Sequence, residues 1–207
     1  MRVPSGCSKL KRPEIIERVK GLIFGAVLGD SLGIATQGMT RDEIRQAYGK
    51  GPIKFGLSND EDTDGQVPFR RDGYRRLYDD NDYSGDMDQL LLVIQTLVEN
   101  EGQFNLKAFA KKLAIHLEKD VRQRTSDQVN IPENALVRSA VLGVPKFWDG
   151  TTVIENAAES CRACVDRPDP RCMITCVILS TLVARYVLRG FSEGRWRGSE
   201  EKGKLAE

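Results

Sequence analysis

Pro13-Glu14-Ile15-Ile16-Glu17-Arg18-Val19-Lys20-Gly21-Leu22-Ile23-Phe24-Gly25-Ala26-Val27-Leu28-Gly29-Asp30-Ser31-Leu32-Gly33 sets the helical period that the rest of the chain repeats. Pro13 suits the first turn of a helix, where a missing N–H costs nothing. Ile15, Ile16, Val19, Leu22, Ile23, Ala26 and Val27 follow at helical spacing. Gly21, Gly25, Gly29 and Gly33 recur every fourth residue and line one face. Each lowers helix propensity by about 1 kcal/mol relative to alanine. Such a stripe is expected where another backbone or a ligand approaches closely.

The same period continues outward. Thr40-Arg41-Asp42-Glu43 reads as a capping box that opens a short helix, and Gly49 can close it. From Lys50 to Asp82 the pattern dissolves into Gly, Pro, Asp and Arg, a long irregular stretch. Helical spacing returns at Leu90, Leu91, Val93, Ile94, Leu97 and Val98, with Gly102 just beyond. Asn105 can cap a helix whose apolar face is Leu106, Phe109, Ala110, Leu113 and Leu117. Pro132 starts another that reaches Gly143. Asp149-Gly150 reads as a turn, and Thr152-Val153-Ile154-Glu155 as a second capping box for a helix toward Cys164. Asp169 caps, with Pro170 in the first turn, an apolar helix ended by Gly190. No strand alternation or Asn-Gly hairpin competes. The fold class is all-α: a polar segment over 1–12, a helical domain over 13–190 and a polar tail over 191–207.

A chain of 207 residues suits one domain. Its formal net charge of +1 gives no electrostatic case for nucleic acid or an anionic membrane, so neither is expected as a partner. Met1 to Lys20 carries no apolar signal core. The most apolar run, Met173 to Leu188, is shorter than a typical membrane span and contains Arg185, which favours a buried helix of a soluble protein. Five cysteines without a secretory context suggest reduced thiols and an intracellular setting, cytoplasmic or nuclear.

Four of those cysteines fall as Cys161-x2-Cys164 and Cys172-x3-Cys176. A zinc reading is set against the Pro168-Asp169-Pro170 break between the pairs and the apolar surroundings of the second pair, and buried structural thiols are expected instead. Asp60-Glu61-Asp62-Thr63-Asp64-Gly65 imitates the first half of a calcium loop, but Arg71 occupies the position of the closing glutamate, so a solvated acidic loop is expected. Arg70, Arg71, Arg75 and Arg76, offset by Asp72, Asp79 and Asp80, read as a mixed solvated loop. His116, the only histidine, is expected at a surface or boundary. Asp30, mid-helix, is expected to be a buried, hydrogen-bonded structural aspartate.

Three segments in order resemble the ADP-ribosylglycohydrolase family. Gly25-Ala26-Val27-Leu28-Gly29-Asp30-Ser31-Leu32-Gly33 resembles its opening G-x-x-x-G-D-x-x-G helix. Asp82-Tyr83-Ser84-Gly85-Asp86-Met87-Asp88-Gln89-Leu90 resembles its D-W-T-D-D-T-D-Q-M segment. Asp169-Pro170-Arg171-Cys172, leading into Thr175-Cys176-Val177, resembles the D-P-R-C opening of a buried helix. Asn134-Ala135-Leu136-Val137-Arg138 is similar to the family's N-G-A-x-M-R loop.

The resemblance implies an orthogonal multi-helix bundle holding a binuclear magnesium or manganese site, and hydrolysis of the glycosidic bond of ADP-ribosylated substrates. Such a reaction passes through an oxocarbenium-like state, which metals and a carboxylate can assist. The family's metal-binding Thr-Asp-Asp falls on Ser84, Gly85 and Asp86, so Ser84 and Asp86 are the candidate ligands for Mg2+ or Mn2+. Gly85 offers no donor, and Met87 offers a soft one. The family's glutamate falls on Gln37, which as an amide is expected to be non-functional, leaving Asp86 as the candidate catalytic carboxylate. The family's T-H falls on Asp166 and Arg167. Asp88, Gln89 and Arg167 are the candidate substrate-binding residues. No D-x-D-S/T segment follows the last helix before Glu207, so the resemblance implies a C-terminally truncated, catalytically impaired domain. Apolar faces left without partners favour self-association. The alternative is a non-catalytic all-α module that binds ADP-ribose, an ADP-ribosylated protein or another protein.

Overall fold

The computed structural model describes residues 4–55, 67–79, 82–119, 132–163 and 169–189. Among them are seven α-helices: α1 (Arg12–Ile34), α2 (Arg41–Tyr48), α3 (Gly85–Glu99), α4 (Leu106–Lys119), α5 (Pro132–Ser139), α6 (Gly150–Cys161) and α7 (Pro170–Arg189). Two 3-10 turns, η1 (Gly73–Leu77) and η2 (Ala140–Gly143), complete the helical part. The all-α expectation is met, with one local addition. Within the irregular stretch, β1 (Ile53–Lys54) pairs in parallel with β2 (Val67–Pro68).

Most helices begin where their side chains supply a cap. The Thr40 hydroxyl accepts the Glu43 N–H at 3.4 Å while Glu43 accepts the Thr40 N–H at 2.7 Å, closing the expected box. Gly49 ends α2 at φ 62°, a conformation that suits glycine. Asn105 accepts from the Ala108 N–H, and Asp169 from the Arg171 N–H. The start of α6 corrects the sequence reading. Its cap is Asp149, whose carboxylate accepts the N–H groups of Thr151 and Thr152, so Thr152 lies inside the helix. A carboxylate is the better cap because it carries charge toward the helix's positive end.

The main core gathers Met87, Leu90, Val93 and Leu97 of α3 against Phe104, Phe109 and Leu113 around α4 and Val141 and Leu142 of η2. Fully burying each aliphatic chain contributes about 1.5–3 kcal/mol. A second cluster joins Ile15, Phe147, Val153, Ala184 and Val187, and a third joins Ala135, Cys161 and Cys176. Helix α7 packs on α6, η2, α5 and α1. Gly143 makes the η2 contact possible: a Cβ there would stand 2.1 Å from the Ser180 carbonyl oxygen.

One expectation about helix faces is corrected, and of the two approaches expected at the α1 glycine stripe, that of another backbone is not seen among the described residues. Helix α7 is half-buried: Cys176, Ser180, Ala184 and Val187 face inward, whereas Ile174, Ile178 and Leu182 are 59%, 53% and 56% exposed. By length and composition, Pro170–Val187 is also apolar enough to cross a membrane. On α1 the glycine stripe is open: nothing among the described residues lies within 4 Å of a Cβ built at Gly21, Gly25, Gly29 or Gly33. Leu22, Ala26 and Val27 make the α1 contact with the main core instead, while Phe24 and Leu28 are exposed.

Candidate functional site

Helix α1 delivers Asp30 to the start of α3. One carboxylate oxygen accepts the Ser84 N–H at 2.6 Å and the other accepts the Ser84 hydroxyl at 2.8 Å. That hydroxyl in turn accepts the Asp86 N–H at 3.2 Å and caps α3. Asp30 is hydrogen-bonded as expected, but it is half-exposed rather than buried. Ser84 is buried, its proton is committed to Asp30, and one of its lone pairs is committed to the helix. Asp86, half-buried in the first turn of α3, carries its charge at the positive end of the helix. Gly85 adds no side chain between them, and Met87 is buried in the main core.

Asp86 and Asp88 are two residues apart on a helix and therefore do not face one another. Asp88 instead approaches α4, its Oδ2 3.4 Å from Nε2 of His116, a contact that becomes an ion pair when the imidazole is protonated. This juxtaposition joins the lone histidine to a candidate site residue. Nothing in their sequence positions signals it, because the two lie on different helices.

Gln89 is 3% exposed, and its Oε1 accepts from Nη1 of Arg138 at 2.8 Å. The Arg138 guanidinium also donates from Nε to the Ser160 hydroxyl at 3.2 Å and from Nη2 to the Ser160 carbonyl at 2.9 Å. It lies 5.5 Å from the Phe109 ring centroid. Arg138 is thus a buried cation tying α3, α5 and α6 together, within the segment similar to the family's N-G-A-x-M-R loop.

Gln37 sits exposed just after α1, and its carbonyl accepts from Nη2 of Arg75 at 2.5 Å. Nε of Arg75 also donates to the Ile34 and Ala35 carbonyls, and Nη1 to Asp72. The Tyr48 hydroxyl donates to the Ala35 carbonyl at 2.9 Å. Arg75 is therefore a buried C-terminal clamp on α1, where a cation meets the negative end of the helix. This corrects the reading of Arg75 as part of a solvated loop.

Three of the four clustered cysteines converge. The Sγ atoms of Cys161, Cys172 and Cys176 all lie within 4.8 Å of one another. The Cys161 thiol hydrogen-bonds the Cys176 sulfur and holds its pKa down to about 6, helped by Ser139 and Cys172. The same bond, with burial, pushes Cys161 up, and burial pushes Cys172 up. Cys164, Arg167 and the acidic run 60–65 lie outside the described residues.

The donors on α1 and α3 do not fit a pair of hard divalent cations. Such ions take six or more oxygens each, and a magnesium site usually combines one or two carboxylates with several waters. Ser84 is left with one uncommitted lone pair, Gly85 offers nothing, and Asp88 turns toward His116. Among the described residues, the group with metal-binding convergence is the thiol trio rather than a carboxylate set.

A family model described as ADP-ribosylglycohydrolase matches residues 11–204. None of the curated proteins and none of the solved structures matches the chain.

Proposed function

This chain belongs to the ADP-ribosylglycohydrolase family, and from that premise we propose that it is a member impaired in hydrolysis that keeps a capacity to bind the ADP-ribosyl group. The observation that carries the reading is Gly85 at the start of α3, which withdraws the carboxylate of the family's second metal position and leaves beside it Ser84, whose hydroxyl keeps one uncommitted lone pair after donating to Asp30 and accepting from the Asp86 N–H. A developing oxocarbenium ion needs nearby negative charge and a base for water. Gln37 is a neutral amide and provides neither, which leaves Asp86 as the candidate catalytic carboxylate at the start of α3. Asp86 suits a ribose hydroxyl as hydrogen-bond acceptor, and Arg167 suits a diphosphate.

The test is incubation with ADP-ribosyl-arginine and ADP-ribosyl-serine substrates in magnesium or manganese. No free ADP-ribose is expected above the uncatalysed rate, and robust release would overturn the impairment. Calorimetry with ADP-ribose tests the binding. A second reading, an interaction module without a nucleotide ligand, draws on the exposed apolar faces of α1 and α7, which also favour self-association. Absence of heat on ADP-ribose addition, with and without metal, would favour that reading.

A further inference from the structure

We propose that Cys161, Cys172 and Cys176 form a thiolate site for one zinc ion, with the buried Arg138 guanidinium beside it as counter-charge. The site is separate from the carboxylates of α3 and does not depend on the chain's capacity for hydrolysis or for ADP-ribose.

The geometry comes from three places on two helices. Cys161 is the last residue of α6, and Cys172 and Cys176 lie one turn apart on the same face of α7. A tetrahedral zinc ion with bonds of about 2.3 Å holds its sulfurs about 3.8 Å apart. The three Sγ atoms already lie within 4.8 Å of one another. Closure around an ion therefore asks for side-chain adjustments of about an ångström, well within rotamer freedom. Three protein sulfurs leave the fourth corner to another donor. Sulfur also selects the ion, because soft thiolates favour zinc over magnesium or calcium.

Electrostatics gives an independent argument. Arg138 is 1% exposed, and the acceptors it meets are the amide of Gln89 and the hydroxyl and carbonyl of Ser160. Among the described residues no carboxylate pairs with it, and a buried guanidinium served by neutral acceptors is costly. Three thiolates around a divalent cation carry a net charge of −1, opposite to the guanidinium. The positive end of α7, whose first turn holds Cys172, favours the same sign. Zinc displaces the three thiol protons, which pass to solvent as the zinc–sulfur bonds form. No oxidant or reductant takes part. The ion would clamp the end of α6 to the start of α7.

The experiment uses the full chain purified with a thiol reductant and without chelator. Elemental analysis is expected to find one zinc per chain. After chelator treatment, Co2+ titration is expected to give intense thiolate-to-cobalt charge-transfer absorption that saturates at one equivalent. Cys7→Ser should keep both signals, because Cys7 packs in a different cluster. Cys172→Ser, at the least buried of the three thiols, should weaken binding at least about tenfold. The wild-type cobalt spectrum decides the matter even if a variant fails to fold: a reduced chain that shows neither bound zinc nor charge-transfer bands overturns the proposal. So does wild-type zinc affinity in Cys172→Ser.

Discussion

Asp30 on α1 holds Ser84 at the start of α3 through both of its carboxylate oxygens, 2.6 Å from the backbone nitrogen and 2.8 Å from the hydroxyl. The contact joins residues 54 apart in the chain and sets the position of the first turn of α3. It carries a charged acceptor, whose hydrogen bonds contribute about 1.5–3 kcal/mol each. Ser84→Ala removes the hydroxyl bond and the helix cap but keeps the N–H bond. The variant should lose about 1–2 kcal/mol in chemical denaturation. An unchanged midpoint would mean that the hydroxyl bond does not stabilise the fold.

Gly85 lies beside Asp86 in the first turn of α3, where the helix dipole favours negative charge. Gly85→Asp adds the hard donor that the segment lacks. We expect it to raise Mg2+ or Mn2+ affinity on the order of tenfold over the wild type in calorimetry. Equal affinities would show that this position does not face the ion.

Gly143 packs with its Cα against α7, and a methyl group there would meet the backbone of Ser180 and Ala184. Backbone cannot rotate aside as a flexible side chain can. Gly143→Ala should therefore destabilise the protein by about 3 kcal/mol, the upper range for overpacking. Thermal or urea unfolding measures it, and a loss under about 0.5 kcal/mol would contradict the close approach.

Asp149 caps α6, and the Thr152 hydroxyl, followed by the backbone N–H groups of Thr152 and Thr151, holds its carboxyl below the usual carboxylate range. The unfolded chain binds that proton at higher pH than the folded one. The cap's contribution is thus fully present above the ordinary carboxylate pKa and is lost as pH falls through the depressed folded value. At neutral pH, Asp149→Ala should cost about 1 kcal/mol, the usual value of a lost cap. The gap between variant and wild type should narrow as the pH drops below the carboxylate range. A gap independent of pH would assign the loss to packing rather than charge.

The helices, most of their ends and the family are legible in the order of residues alone. The Thr40–Glu43 box, the Asn105 and Asp169 caps and the Gly49 stop are hydrogen bonds or backbone angles closed within a few residues, so local order was enough to read them. The family segments were legible for a similar reason, since each is a short contiguous string. At the start of α6 the sequence reads Asp149-Gly150 as a turn and Thr152 as the cap, whereas in the fold Asp149 is the cap.

What each polar side chain meets follows from how the helices pack. Asp30 with Ser84, Asp88 with His116, Gln89 with Arg138 and Arg75 with the end of α1 all join separate elements. The packing of α6 on α7 likewise brings Cys161 to Cys172 and Cys176 across the Pro168-Asp169-Pro170 break. The physical reason is range. Helix period and capping depend on neighbours along the chain, whereas convergence of charges and thiols depends on how finished helices stack, which no local pattern encodes.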